Sequence, residues 1–383
     1  MSLVAAGRIG VGARRVVLGV TLGAVLLSGC GRFDDRASSP FTTEPSWQDA
    51  EPETKDSKAP PTSAKRPDLP CVDPDTAVVI SCLDTTGGVV VLPDGVHGLV
   101  AERLTGRILK VEATDEGAPP DPIEIARLDV DGSGDGGLTA LALSPSYPED
   151  GLIYAYITTG SDNRVVRLST ENGGAPKPVL TGIPKGATGN RGSLDFHTGS
   201  KMLVLTGDAG NPGAAADNGS LAGKLLGLDT APGAAPEVMA SGIGVAGGVC
   251  SDHVDSIWVT DRTATEDRLQ RIAPDGSITK AWTWQDHPGV AGCAAATDGV
   301  AIALTNQKAL ALALADKNTH AVTAAPSLLA QDKYGRLDGA SPAGNGIVWV
   351  STVNKTDGQP NQYDDRVVRI SVNPQGGQGN GPD

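Results

Sequence analysis

From residue 71 onward the apolar residues fall in short runs bounded by Gly, Asp, Asn and Pro, a pattern that predicts strands rather than helices. The runs also resemble one another. Ile153-Tyr154-Ala155-Tyr156-Ile157-Thr158 leads, through a polar turn, into Arg164-Val165-Val166-Arg167-Leu168. Ile257-Trp258-Val259-Thr260 leads into Arg268-Leu269-Gln270-Arg271-Ile272, and Val348-Trp349-Val350-Ser351 into Arg366-Val367-Val368-Arg369-Ile370. Looser copies start at Leu99, Leu203 and Ile302. The six lead residues (99, 153, 203, 257, 302 and 348) are 45–54 residues apart. A period of that length with about four short strands per unit is the signature of propeller blades, which close into a ring because one blade cannot bury both faces alone. The expected fold is all-β, a six-bladed β-propeller over residues 71–383 with a short disordered C-terminal tail from about 374. A pair of unequal β-sandwiches is the alternative that the even spacing disfavours.

The N-terminal pattern differs. Residues 1–29 carry Arg8, Arg14 and Arg15 and no acid, and Val16–Leu27 is a mainly apolar run too short to span a bilayer. The segment ends Leu27-Ser28-Gly29-Cys30, which resembles a bacterial lipobox. The expectation is a lipoprotein signal peptide over 1–29 with Cys30 acylated, so that the mature protein is exported and held by lipid on the outer face of the cytoplasmic membrane. An ordinary signal peptide with an incidental Cys is the other reading. Residues 30–70, dense in Pro, Ser, Thr and charge, cannot bury enough surface to order themselves and read as a flexible tether.

Composition narrows function. The net charge of −14 argues against a nucleic-acid partner, since phosphate backbones need a basic face. Fifty glycines in 383 residues fit a turn-rich fold. With Cys30 assigned to lipid, Cys71, Cys82, Cys250 and Cys293 form an even set in an oxidising compartment. Three pairings exist, and Cys71–Cys82 with Cys250–Cys293 is favoured because each closes a local loop. No Cys-x-x-Cys occurs, and His97, His197, His253, His287 and His320 are scattered without ligand spacing, so no metal site is assigned.

Propellers bind ligands in the loop-lined funnel at one end of the central channel. The charged, Gly-rich loops supply the candidates Asp135, Asn190, Arg191, Asp208, Lys224, Asp261 and Arg262. The loop Asp129–Gly137 opens like a calcium loop, but its twelfth position is Ala140, where an EF-hand needs Glu; a solvated acidic turn is expected. Asp364-Asp365 is expected in a hairpin turn. No Gly-x-Ser-x-Gly, phosphate loop or His-Glu-x-x-His is present.

Over roughly residues 95–372 the chain resembles the glucose/sorbosone dehydrogenase family. The likeness is carried by Val100-Ala101-Glu102-Arg103 with Gly106-Arg107-Ile108, and by Gly136-Gly137-Leu138 running to Leu143-Ser144-Pro145. It continues through Thr206-Gly207-Asp208-Ala209-Gly210-Asn211-Pro212 and Ser220-Leu221-Ala222-Gly223-Lys224-Leu225. The resemblance implies a six-bladed quinoprotein that oxidises aldoses with pyrroloquinoline quinone and calcium. The implied functional residues do not carry over. Gly189 stands where the family's catalytic His begins a His-x-Gly-Gly-Arg-Leu motif, and His197 lies too far along to replace it. Gly242–Val249 lacks the Arg-Asn pair that holds the quinone, and Asp267-Arg268-Leu269-Gln270 replaces a calcium-ligating Asp-Glu-Leu-Asn.

The expected protein is therefore a lipid-anchored envelope propeller with a degenerate dehydrogenase site. It would bind a sugar, another polar small molecule or an envelope protein, with no catalytic residue and no cofactor assigned. A quinone-dependent aldose dehydrogenase with a rearranged site, and an enzyme of another class such as a lactonase, are the alternatives.

Overall fold

The computed structural model describes residue 66 and residues 69–170, 174–231 and 234–372. Cys30, the expected signal peptide, nearly all of the tether and the tail from about 374 lie outside them. Among the described residues no helix is long and apolar enough to cross a membrane.

The described strands form six four-stranded antiparallel sheets. The innermost strands are β2 (Thr86–Val91), β6 (Leu138–Leu143), β10 (Gly192–Phe196), β14 (Val245–Ser251), β18 (Val290–Ala296) and β22 (Leu337–Pro342). Each packs against the innermost strand of the next sheet, and β22 against β2, so the six close into a ring. The six lead residues of the sequence repeat all lie in the second strands: β3 (His97–Glu102), β7 (Leu152–Thr158), β11 (Lys201–Thr206), β15 (Ile257–Arg262), β19 (Gly299–Leu304) and β23 (Ile347–Thr352). The third strands are β4 (Arg107–Glu112), β8 (Asn163–Ser169), β12 (Lys224–Asp229), β16 (Asp267–Ile272), β20 (Ala309–Leu314) and β24 (Val367–Ser371). The outer strands β5 (Ile123–Arg127), β9 (Lys177–Ile183), β13 (Glu237–Ser241), β17 (Ile278–Trp284) and β21 (Ser327–Leu329) complete blades 1 to 5. Blade 6 takes its outer strand from the chain's beginning, β1 (Val78–Ile80), which pairs antiparallel with β24.

The core explains why the ring is needed. Its buried apolar residues form six clusters, each shared by two neighbouring blades. Leu203, Leu205 and Leu225 of blade 3 pack with Val249, Ile257 and Val259 of blade 4, and Trp349 and Val367 of blade 6 pack with Val100 and Leu109 of blade 1. An open fan would expose two of these faces to water, at roughly 25 cal/mol per Å² of apolar surface.

Near the axis the blades touch backbone to backbone. A Cβ on Gly248 would come within 2.7 Å of the Cys293 amide, and one on Gly292 within 2.6 Å of the Asp338 carbonyl. Only glycine permits that approach. The Cys250–Cys293 disulfide crosslinks the inner strands of blades 4 and 5 at this level. Cys71–Cys82 ties down the segment that leads into β1, so both favoured pairings are present. Closure is reinforced by Arg366, which bonds Asp73 at 2.8 Å and Asp364 at 2.8 Å. Arg66, in the stretch expected to be tether, is buried and donates to the carbonyls of Val78 (2.8 Å) and Thr114 (3.0 Å). The fold thus reaches back beyond residue 71.

Candidate functional site: the mouth of the central channel

Every inner strand starts at the same face of the disc, where the loops between blades and the turns between second and third strands also lie. This face carries all seven funnel candidates. The structure separates them by what their polar atoms do.

Arg191, just before β10, lines the channel, and its Nη2 donates to both carboxylate oxygens of Asp338 at 2.7 Å each. Asp338 is the second residue of β22 and is only 2% exposed on its side chain. Blades 3 and 6 face each other across the axis, so this ion pair bridges the mouth. Burial opposes the Arg191 charge, but Asp338 more than offsets it and the pKa rises. Below the bridge lies a cavity of about 60 Å³, walled by the glycine-rich starts of the inner strands.

Arg262 ends β15. Its Nε is sealed from water and has no hydrogen-bond partner. Burial, then the charge of Arg191, lowers its pKa, against the opposing pull of Asp338, Asp267 and Asp135. Arg103, in the turn after β3, enters the same field. Its Nη1 donates to the Gly136 carbonyl at 2.5 Å and more weakly to those of Gly132 and Gly134.

The other candidates are committed to the loops themselves. Asp135 accepts from the backbone amides of Gly189 (2.9 Å) and Asn190 (3.0 Å). The buried Asn190 side chain donates to the Gly186 carbonyl and accepts from its amide, both at 2.9 Å. Asp208 accepts from the Gly210 amide at 2.8 Å. Lys224 is fully buried, and its ammonium donates to the carbonyls of Ala214, Ala215 and Ala222 at 2.7–3.0 Å, one for each of its three protons. It therefore pins the 207–223 loop and has no proton left for a ligand. Asp261, also fully buried, takes Arg268 Nε (3.0 Å) and Nη2, the Gly244 amide (3.0 Å) and Gln270 Nε2 (3.2 Å). Of the seven, only Arg191 and Arg262 keep guanidinium nitrogens with no hydrogen-bond partner among the described residues.

The remaining sequence features also find places. Asp131 of the calcium-like loop pairs with Lys185 and accepts from the Ser133 amide, so its oxygens meet protein donors. Gly189 sits at φ 73°, and a Cβ there would lie 2.5 Å from Asp208 Oδ1 and 2.6 Å from the Gly210 amide. His197 follows the far end of β10, away from the mouth, with its Nδ1 2.7 Å from Ser251 Oγ. Asp364 binds Arg366, while Asp365 receives the Asn354 amide at 2.6 Å on Oδ1 and has no partner on Oδ2. The sequence alone does not single out Asp338 or Arg103 as site residues. The Gly that follows Asp338, Gly339, belongs to the same inner-strand series as Gly87, Gly192, Gly247 and Gly292, and that series was the available signal.

Comparison with known proteins places this geometry. The family model described as Glucose / Sorbosone dehydrogenase matches residues 83–241. The PQQ-bound aldose sugar dehydrogenase of Streptomyces coelicolor is 30% identical, with a TM-score of 0.69 over 77% of this chain and 96% of that one. A putative glucose dehydrogenase of Thermus thermophilus is 25% identical, with a TM-score of 0.65 over 76% of this chain and 98% of that one. The apo-form of the soluble aldose sugar dehydrogenase of Escherichia coli shares the fold at 17% identity and a TM-score of 0.63, covering 77% and 98% of the two chains. No curated protein matches the sequence. On the Streptomyces relative's identity and near-complete coverage, the chain belongs to the glucose/sorbosone dehydrogenase family.

Proposed function

We propose that this family member is a ligand-binding module of the cell envelope, anchored by lipid at Cys30, in which the sugar-dehydrogenase site has degenerated. The observation that carries the reading is the Arg191–Asp338 ion pair across the channel mouth. A tricyclic quinone with three carboxylates needs a slot of several hundred Å³. The channel under the bridge holds only about 60 Å³, so a quinone would have to lie on the rim above it, where Arg191 is already taken up by Asp338. The residues present do not fit that cofactor, and no step is derived through it. Two further observations support the reading. A side chain at Gly189, where the family's base would stand, would collide with Asp208. Asp267, at the place of the calcium segment, is held by the amides of Gly289 (2.7 Å) and Val290 (3.1 Å).

The test is calorimetric titration of the full chain in detergent micelles with pyrroloquinoline quinone and calcium. The expected result is no heat, no change in melting temperature and no dye reduction with any aldose. Micromolar or tighter binding followed by sugar oxidation would overturn the reading in favour of an aldose dehydrogenase. Lipid anchoring is tested separately: labelled palmitate should be incorporated into the chain and not into Cys30→Ala.

A further inference from the structure

The two disulfides are placed in opposite surroundings. Cys250 and Cys293 lie in the inner strands β14 and β18 and are only 4% and 5% exposed, which denies a reductant access. Cys71 is exposed and Cys82 half-buried, and neither lies in a strand. Both also hold their backbones in the left-handed region, at φ 61° and 58°, a conformation that disfavours any residue with a Cβ. Exposure and backbone strain each make a disulfide easier to reduce.

The exposed bond fastens the seam of the ring. The loop that it closes, residues 71–82, contains β1, which completes blade 6 with only three residues and an irregular register to β24. Just beyond it the chain grips the rim of the mouth. The Cys82 amide donates to the Tyr363 carbonyl (2.7 Å), and Leu83 and Asp365 exchange backbone hydrogen bonds (2.9 and 3.1 Å). Lys355 Nζ donates to the Leu83 carbonyl at 2.6 Å. Tyr363, Asp365 and Lys355 all belong to the turn between β23 and β24, residues 353–366, at the face that carries the mouth.

We propose that Cys71–Cys82 is a redox latch: a dithiol reduces it selectively, and β1 and the 353–366 turn loosen while Cys250–Cys293 keeps the ring closed. A thiolate of the dithiol attacks the exposed Cys71 sulfur, the Cys71–Cys82 bond breaks, and the Cys82 thiolate leaves and takes a proton. The second thiol of the reductant then attacks the mixed disulfide, forms the reductant's own internal disulfide, and releases Cys71 as a thiolate that is protonated in turn. Two electrons and two protons pass to the protein, and the dithiol is oxidised. Arg66 and Arg366 hold the same segment through the Val78 and Thr114 carbonyls and through Asp73 and Asp364, independently of the bond. Reduction therefore loosens the seam without unfolding the propeller.

The test is a titration of the full chain in detergent micelles with dithiothreitol, quenched by alkylation and mapped peptide by peptide, with amide hydrogen exchange on the same samples. Cys71 and Cys82 should be alkylated at a reductant concentration about tenfold or more below the one that opens Cys250–Cys293. At that point exchange should quicken in β1, in β24 and in residues 353–366, and stay unchanged in β11 and β12 of blade 3. The melting temperature should fall by about 5 °C, and reoxidation should restore it. Cys71→Ser should show the same exchange pattern without reductant; if that variant does not fold, the reduced parent still gives the answer. Reduction of both bonds together, reduction of Cys250–Cys293 first, or reduction of Cys71–Cys82 with no change in exchange at the seam would each overturn the proposal.

Discussion

Two sets of charges share the rim of the channel and behave oppositely. Lys224, Asp261 and Asn190 direct every polar atom back into the loops that carry them. Arg191 and Asp338 pair directly across the channel, Arg262 makes no hydrogen bond among the described residues, and of the two arginines only Nη2 of Arg191 is matched to an acceptor. Both sets lie in Gly-rich, loop-flanked sequence, and all but Asp338 read alike there. The difference shows that a charge in a funnel loop says nothing about ligands until its donors and acceptors have been followed to their ends. The first set is a cost of building long loops over a narrow ring; the second is what remains to meet something else.

The largest expected effect tests the inward set. Asp261→Ala removes the acceptor for Arg268, Gln270 and the Gly244 amide in a fully buried place. Breaking such a pair leaves an uncompensated charge, so unfolding in denaturant should lose about 3–5 kcal/mol. A loss below about 1 kcal/mol would mean that Asp261 does not hold the 242–244 turn, and the division between the two sets would blur.

Asp365, at the ring seam, stands between the sets: one oxygen serves the fold and the other serves nothing. Burial, together with its neighbour Asp364, pushes its pKa up to about 7 from 3.8, against the Asn354 amide. A raised carboxylate pKa means that the proton is held more tightly in the folded state. Its contribution to stability is therefore complete below about pH 4 and is lost as the pH rises through 7. Asp365→Asn cannot ionise. Thermal unfolding from pH 4 to 8 should show the parent losing stability relative to the variant, at up to about 1.4 kcal/mol per pH unit, with the curves closest at low pH. Parallel curves would show that Asp365 is ionised throughout.

Lys224→Met should cost less, about 2 kcal/mol. Three carbonyls lose a charged donor, but that of Ala215 keeps the Gly242 amide (2.9 Å) and that of Ala214 keeps the Asp217 amide (3.2 Å). The cost should appear first as protease sensitivity between residues 207 and 223, because the ammonium is what joins that loop to β12.

Which of these features could be read from sequence depends on hydrophobic amplitude. The second strands alternate around large buried residues such as Trp258 and Trp349, so their period stood out and gave the blade count. The inner strands read TGGVVV, VAGGVCS and VAGCAAA, with small residues demanded by backbone contact at the axis, and carry almost no periodic signal. Asp338 does not stand out in the sequence for that reason, since it sits in such a strand. The outer strands are too exposed to stand out; Glu237–Ser241 is one. Closure through β1 joins residues nearly 300 positions apart, and no local pattern encodes such a pairing. The disulfides were legible because few pairings of four cysteines exist. The direction in which Lys224 or Asp261 points was not, because it depends on carbonyls and amides that have no letter in the sequence.

The smallest expected change bears hardest on the comparison. Arg262→Met keeps the length of the side-chain stem and its apolar contacts and removes a guanidinium that bonds to nothing among the described residues. Two effects work against that charge in the folded protein, burial first and then repulsion from Arg191, and both disappear in the variant. The attraction of Asp338, Asp267 and Asp135 disappears too, which limits the gain. Stability should stay within about 0.5 kcal/mol of the parent, in contrast to the several lost at Asp261. Should Arg262→Met unfold the protein as readily as Asp261→Ala does, the guanidinium would have a structural partner after all, and the rim would hold one set of charges instead of two.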